Sequence, residues 1–183
     1  MEHLPRQGRV LWITGLSGAG KTTLGKALQQ ALPGSLLLDG DELREALGAD
    51  GQGFDAQSRR RLALTYARLA GLLARQGATV IVATISLFHE LHAWNRAHLP
   101  GYVEIFLDVP ESVRRARDPK GLYAANARNM AGSEVPAELP LEPHLRLDGG
   151  QSPDDAVPLI LDLLAKAISP AGKDPSSQQR AFC

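Results

Sequence analysis

The segment Gly15-Leu16-Ser17-Gly18-Ala19-Gly20-Lys21-Thr22 satisfies the pattern G-x-x-x-x-G-K-[ST] at every fixed position. An apolar run, Arg9-Val10-Leu11-Trp12-Ile13-Thr14, precedes it, and a helix-forming run from Thr23 to Leu32 follows. Strand, glycine loop and helix therefore come in the order a phosphate-binding loop needs. Glycines let successive backbone N–H groups curl inward onto phosphate oxygens, while the helix behind them presents its positive dipole end. In that geometry Lys21 bridges the outer phosphates and the Thr22 hydroxyl is a ligand for Mg²⁺. A chance glycine turn before a core helix is the rival reading, and both context and spacing speak against it. The loop marks the chain as a user of a nucleoside triphosphate.

Beyond the loop, apolar strand-like runs alternate with longer amphipathic ones, the pattern of a parallel sheet wrapped by helices. Strands are predicted over 9–14, 35–38, 79–84, 102–107 and 144–147, and helices near 21–32, 41–47, 56–76, 88–98, 111–117 and 153–168. Several strands are apolar throughout, as both-face burial requires. This gives an α/β fold with about five parallel strands flanked by helices. Ligands in such folds sit beyond the carboxyl ends of the strands, which selects Gly15 to Thr22, Asp39 to Arg44, Ile85 to His89 and the residues from Asp108 onward.

A chain of 183 residues with 44% hydrophobic content fits one domain with a substantial core. The domain is expected to span 1–168. Residues 118–143, rich in Pro, Gly, Ala and Asn, suggest a mobile lid, taken in full as about 114–143. The polar stretch 169–183 is expected to be a disordered tail. Twenty Lys and Arg balance twenty Asp and Glu, so no overall field favours nucleic acid or a membrane, and a small ligand is expected. The single cysteine, Cys183, leaves no internal disulfide. No apolar run approaches the roughly 20 residues of a membrane span, and the first eight residues lack a signal-peptide core, so a cytoplasmic protein is expected.

The second strand end reads Asp39-Gly40-Asp41-Glu42-Leu43-Arg44. Phosphoryl transfer to a hydroxyl needs a carboxylate to hold Mg²⁺ or take the proton, and cations to balance phosphate charge. Asp39 and Asp41 suit the first task and Arg44 the second, although either aspartate could instead cap the next helix. With GLSGAGKTT, LDGDELR, Gly53-Phe54, Ile85-Ser86, FLDVP from Phe106 to Pro110 and RDPKGLY from Arg117 to Tyr123, the chain resembles the adenylylsulfate kinases from about residue 8 to 168. That resemblance implies the P-loop kinase fold, often as a homodimer. It also implies transfer of the ATP γ-phosphate to the 3′-hydroxyl of adenosine 5′-phosphosulfate.

Position by position, the resemblance makes Gly15, Leu16, Ser17, Gly18, Ala19, Gly20, Lys21, Thr22 and Thr23 the ATP phosphate cradle, with Thr22 and Asp39 toward Mg²⁺. Asp39 and Asp41 become the metal-organising and proton-accepting carboxylates, in an order left open. Arg44 and Arg59 would hold the phosphosulfate, Phe54 would border the acceptor base, and Ile85 and Ser86 would contact the acceptor. Arg117 would pack on the ATP adenine. Lys120, with Gly121 and Leu122, would sit in the lid over the transferring phosphate. Each has a structural rival: Phe54 as core, Arg59 as part of the solvated Arg59-Arg60-Arg61 face, Arg117 as lid surface.

Four positions leave the family pattern. Glu42 and Leu62 stand where asparagines are usual, His89 where an arginine commonly follows the Ile-Ser-Pro-Tyr-type turn, and Met130 where a phenylalanine stacks on the acceptor adenine. All four fall on the acceptor side, and the ATP side is intact. Two rivals to an adenylylsulfate kinase follow. One is a kinase of the same fold for another nucleotide-linked acceptor, such as cytidine diphosphoramidate. The other is a nucleotide-binding module without turnover, against which Asp39, Asp41 and Lys120 argue. His89, His92 and His98 share one predicted helix but lack an acidic ligand pattern, so no protein-bound metal is expected there.

Overall fold

The computed structural model describes residues 8–49, 55–117, 137–149 and 151–168. Eleven elements follow one another: β1 (Arg9–Gly15), α1 (Lys21–Ala31), β2 (Leu36–Asp39), α2 (Gly40–Ala46), α3 (Ala56–Arg75), β3 (Thr79–Ala83), α4 (His89–His98), β4 (Val103–Leu107), α5 (Glu111–Arg117), β5 (Leu145–Leu147) and α6 (Pro153–Ile168). Each sequence-predicted element is present, with bounds moved by a residue or two. The shift at β2 has a physical cause. Asp39 ends the strand in extended backbone and caps α2, so the strand runs to 39 and the helix starts at Gly40.

The five strands form one sheet in the order β2-β3-β1-β4-β5, parallel at every pairing. β1 lies at its centre, and apolar side chains fill both faces. Val10 and Trp12 look toward α3 and α4 with Ala63, Tyr66, Ala67, Ala70, Ala74 and Leu91. Leu11 and Ile13 look toward α1 and α6 with Leu24, Leu28, Ile160 and Leu164. Trp12 is fully buried, and emptying such a site costs about 3–5 kcal/mol. The α3 stripe recurs at three- and four-residue intervals, the spacing that keeps one helix face on the sheet. Because most of it is alanine, the α3 backbone approaches the strands closely, and a Cβ added at Gly71 would lie 3.0 Å from Leu99.

With β1 flanked by β3 and β4, its carboxyl end opens at the middle of one sheet edge. The loops after β1, β2 and β3 therefore converge there. Among the described residues, no helix is long and apolar enough to cross a membrane. Residues 118–136 and 169–183, with the expected bulk of the lid and the tail, lie outside the described residues, as do Phe54, Lys120, Gly121, Leu122 and Met130. Residues 114–117, assigned above to the lid's start, form the last turn of α5, and Arg114 is buried.

Candidate active site

The loop between β1 and α1 is shaped by two glycines that no other residue could replace without strain. Gly20 caps α1 with φ 96°, and Gly18 takes φ 77°, both in the left-handed region that a Cβ disfavours. A Cβ on Gly18 would also stand 3.0 Å from the Arg114 carbonyl. α5 therefore closes against the loop from one side, and the Arg114 Nε–H, donated to the Val109 carbonyl at 3.0 Å, fixes that turn. The α1 amides beyond Gly20 point outward with the helix dipole behind them, which favours an anion. Lys21 lies back along the loop, its Nζ donating to the Leu16 carbonyl at 2.9 Å. Thr23 is exposed just behind it.

Next to the loop, the Thr22 hydroxyl donates to Asp39 Oδ2 at 2.6 Å. The other oxygen of the same carboxylate, Oδ1, accepts the Asp41 N–H at 3.0 Å. The cap that the sequence offered for Asp39 is therefore present, and the same buried carboxylate also holds the Thr22 hydroxyl. Two hard oxygens brought together at the loop fit Mg²⁺, which takes oxygen ligands and keeps several waters. Asp41 stands exposed in the first turn of α2. Arg117 reaches in from α5. Its guanidinium donates to the Gly149 carbonyl at 3.3 Å and lies 3.9 Å from where a Gly20 Cβ would be.

Across the cleft, Arg44 from α2 and Arg59 from α3 come close enough to act on each other. Burial, then the Arg44 charge, lowers the Arg59 guanidinium below its ordinary range, with Asp55 opposing. Two like charges gathered on separate helices raise the local positive potential, which favours an anion nearby. The Arg44 guanidinium also reaches the Ala49 carbonyl at 3.4 Å. α3 itself begins at Asp55, whose carboxylate accepts the Gln57 and Ser58 amides, each at 3.0 Å.

The third wall is the turn after β3. Thr84 continues the sheet through its N–H to the Ile13 carbonyl, and the Thr14 hydroxyl donates to the Ile85 carbonyl. Thr84 and Ser86 hydroxyls bond each other at 3.0 Å. Ser86 is buried and is the one non-glycine with positive φ, 29°, among the described residues. Such a conformation is strained for a side-chain-bearing residue and persists only where its surroundings hold it.

One residue on this wall was not singled out from the sequence. Glu138 accepts the His89 amide at 2.6 Å and the Arg60 guanidinium at 3.2 Å, and its own N–H donates to the Leu87 carbonyl at 3.2 Å. His89 Nε2 donates to the Leu139 carbonyl at 2.8 Å, and the Arg60 guanidinium lies over the Phe88 ring, 5.2 Å from its centre. The stretch from Glu138 that leads to β5 is thus strapped across the start of α4. Nothing local to Glu138 signals this, because its partners lie 49 and 78 residues away.

A glycine cradle at the end of a central parallel strand, with a threonine–aspartate oxygen pair beside it, defines a P-loop phosphotransferase. The model of the adenylylsulphate kinase family matches residues 7–148, and the chain belongs to that family. It is 42% identical over 167 residues to an adenylyl-sulfate kinase from Deinococcus deserti, covering 86% of this chain and 91% of that protein. It is also 42% identical over 139 residues to a cytidine diphosphoramidate kinase from Campylobacter jejuni, covering 72% of this chain and 81% of that one. Among solved structures, the Mycobacterium tuberculosis APS kinase CysC in complex with AMPPNP and APS superposes with a TM-score of 0.81 at 34% identity, over 88% of this chain and 99% of that chain. This chain is an ATP-dependent kinase that transfers phosphate to an alcohol acceptor.

Proposed function

We propose that the acceptor is adenosine 5′-phosphosulfate and that the reaction is transfer of the ATP γ-phosphate to its 3′-hydroxyl. The observation that carries this reading is the neighbouring Arg44 and Arg59 on α2 and α3, cations suited to the phosphosulfate. The extent of the likeness to adenylyl-sulfate kinases, 86% of the chain for the Deinococcus deserti protein, supports it. Phe54, Ile85 and Ser86 would border the acceptor, with Lys120, Gly121 and Leu122 above it and Arg117 against the ATP base. The working unit is one kinase domain over 1–168, a lid over about 114–143 and a tail from 169.

The commitments of Asp39 divide the carboxylate tasks. Its two oxygens are held by Thr22 and by the start of α2, so Thr22 and Asp39 would hold Mg²⁺, while exposed Asp41 takes the acceptor's hydroxyl proton. The metal would supply charge neutralisation across the β- and γ-phosphates. The loop amides and Lys21 draw the terminal phosphate into place, Lys21 leaving the Leu16 carbonyl to do so. The acceptor oxygen then forms a bond to the γ-phosphorus as the bond to the β-phosphate oxygen breaks, and ADP departs.

A second reading, cytidine diphosphoramidate as acceptor, is favoured by His89. Where the family commonly has an arginine, this side chain is a histidine tied to the Leu139 carbonyl, so it anchors the strap instead of reaching for an anion. ADP release measured with each compound and with no acceptor tests both. Turnover with adenosine 5′-phosphosulfate is expected, and turnover only with the cytidine compound overturns the first reading.

A further inference from the structure

Behind the Ser86 turn lies a set of polar side chains that the reaction does not use. His92 and Asn95 of α4, Tyr102 just before β4 and Glu104 of β4 are buried. Neither ring nitrogen Nδ1 of His92 nor Oε1 of Glu104 has a hydrogen-bond partner of ordinary geometry, and the two face each other at 3.4 Å. The other ring nitrogen, Nε2, lies 3.0 Å from the Ser86 carbonyl. A carbonyl only accepts, so Nε2 must carry a hydrogen. If Nδ1 were bare and Glu104 ionised, two lone pairs would confront one another in a site that excludes water, a costly arrangement. One proton on that edge removes the conflict whichever atom it rides on.

We propose that His92 and Glu104 share a single buried proton between Nδ1 and Oε1, and that this pair positions the acceptor turn by holding the Ser86 carbonyl in its left-handed conformation. The inference rests on the reading that residues 85–86 border the acceptor. Glu104 is also tied through Oε2 to Arg96 at 2.7 Å, which itself donates to the Glu142 carbonyl at 2.9 Å. The Glu104 amide donates to His144 Nδ1 at 3.0 Å. The charged and titratable groups facing the pair are thus His89 and Arg96 from α4, Glu138 from the strap, Tyr102 beside β4, and His144 before β5. Burial lowers the His92 imidazole and raises the Glu104 carboxyl, both directions being those of a pair kept net neutral. As pH rises and the shared proton leaves, the one remaining ring hydrogen moves from Nε2 to Nδ1, where it meets the ionised Glu104, and the Ser86 carbonyl loses its donor. The effect is expected on acceptor binding, because the cluster's hydrogen bonds run to the Ser86 turn, to Glu142 and to His144.

The test combines nitrogen NMR of histidine-labelled protein with Michaelis constants measured from about pH 6 to about pH 9. Expected in the unaltered protein is a His92 ring protonated at Nε2 and hydrogen-bonded at Nδ1, with acceptor KM rising at the alkaline end and ATP KM level. Glu104→Gln, whose amide donates to Nδ1 at any pH, should flatten that rise. His92→Leu should raise acceptor KM roughly tenfold, and His92→Gln, which keeps a donor for Ser86, should recover most of it. A ring protonated at Nδ1 and bare at Nε2, or equal rises in ATP and acceptor KM in His92→Leu, overturns the proposal. If no acceptor is turned over, the proposed function fails, while the ring nitrogens still decide the shared proton.

Discussion

The two halves of the cleft are made of different material. On the donor side the loop, its following helix and Asp39 form a site mainly from backbone amides and residues close in sequence, Thr22 and Asp39 being 17 positions apart, with α5 brought against it from farther along the chain. The acceptor side gathers side chains from α2, α3, the turn after β3 and the strap at Glu138, up to 78 residues apart. A site built from main chain tolerates little change, since glycine torsions and helix placement must all hold. One built from converging side chains can exchange partners singly, and three departures from the family pattern, Glu42, Leu62 and His89, lie on α2, α3 and the start of α4. The contrast explains how relatives equally similar to this chain carry the names of two different acceptors.

Substitutions can break or sharpen that contrast. Lys21→Ala should lower kcat on the order of 10³-fold with little change in melting temperature, since the side chain sits half-buried at the loop rather than in the core. Wild-type turnover in this variant would remove Lys21 from the chemistry. At Asp39 the fold and the reaction separate by choice of residue. Asparagine still caps α2, so Asp39→Asn should keep stability and lose roughly 10²-fold in activity, whereas Asp39→Ala should also lose about 1 kcal/mol in denaturant unfolding. Equal stability loss in both variants would mean the cap is not carried by that side chain.

On the opposite wall the effects should be confined to binding. Arg59→Ala should raise acceptor KM at least about tenfold and leave ATP KM alone. A parallel rise in ATP KM would erase the division between the two sides. The smallest effect concerns the start of α3. Hydrogen bonds from Ser58 and Gln57 hold the Asp55 carboxyl below its ordinary value, so its contribution is present above that value and lost as pH falls through the lower folded one. Thermal melts toward acid should show this loss in the unaltered protein and not in Asp55→Asn.

Strands 9–15 and 79–83 and the helix behind the loop were legible because their apolar pattern and glycine spacing report local geometry. Asp39 was legible as a residue but not as a double contact, since capping and metal chemistry ask for the same side chain. The strap could not be read, because Glu138 looks like any acidic loop residue until the fold brings it to His89 and Arg60. Glu104 did carry a signal: an acid in the middle of Val103-Glu104-Ile105-Phe106-Leu107 contradicts an otherwise apolar strand. Its partner His92 is placed by helix register alone, so the pairing needed three dimensions.

The twin bonds of Asp39 set a boundary for anyone wishing to retarget this enzyme. Its carboxylate staples the entrance of α2 to the first turn of α1, so redesign that begins before residue 41 would disturb the donor machinery together with the pocket. Changes placed farther along α2, on α3 or in the strap leave that staple untouched. New alcohols could then be sought by remodelling one bank of the cleft while the other keeps its grip on nucleotide.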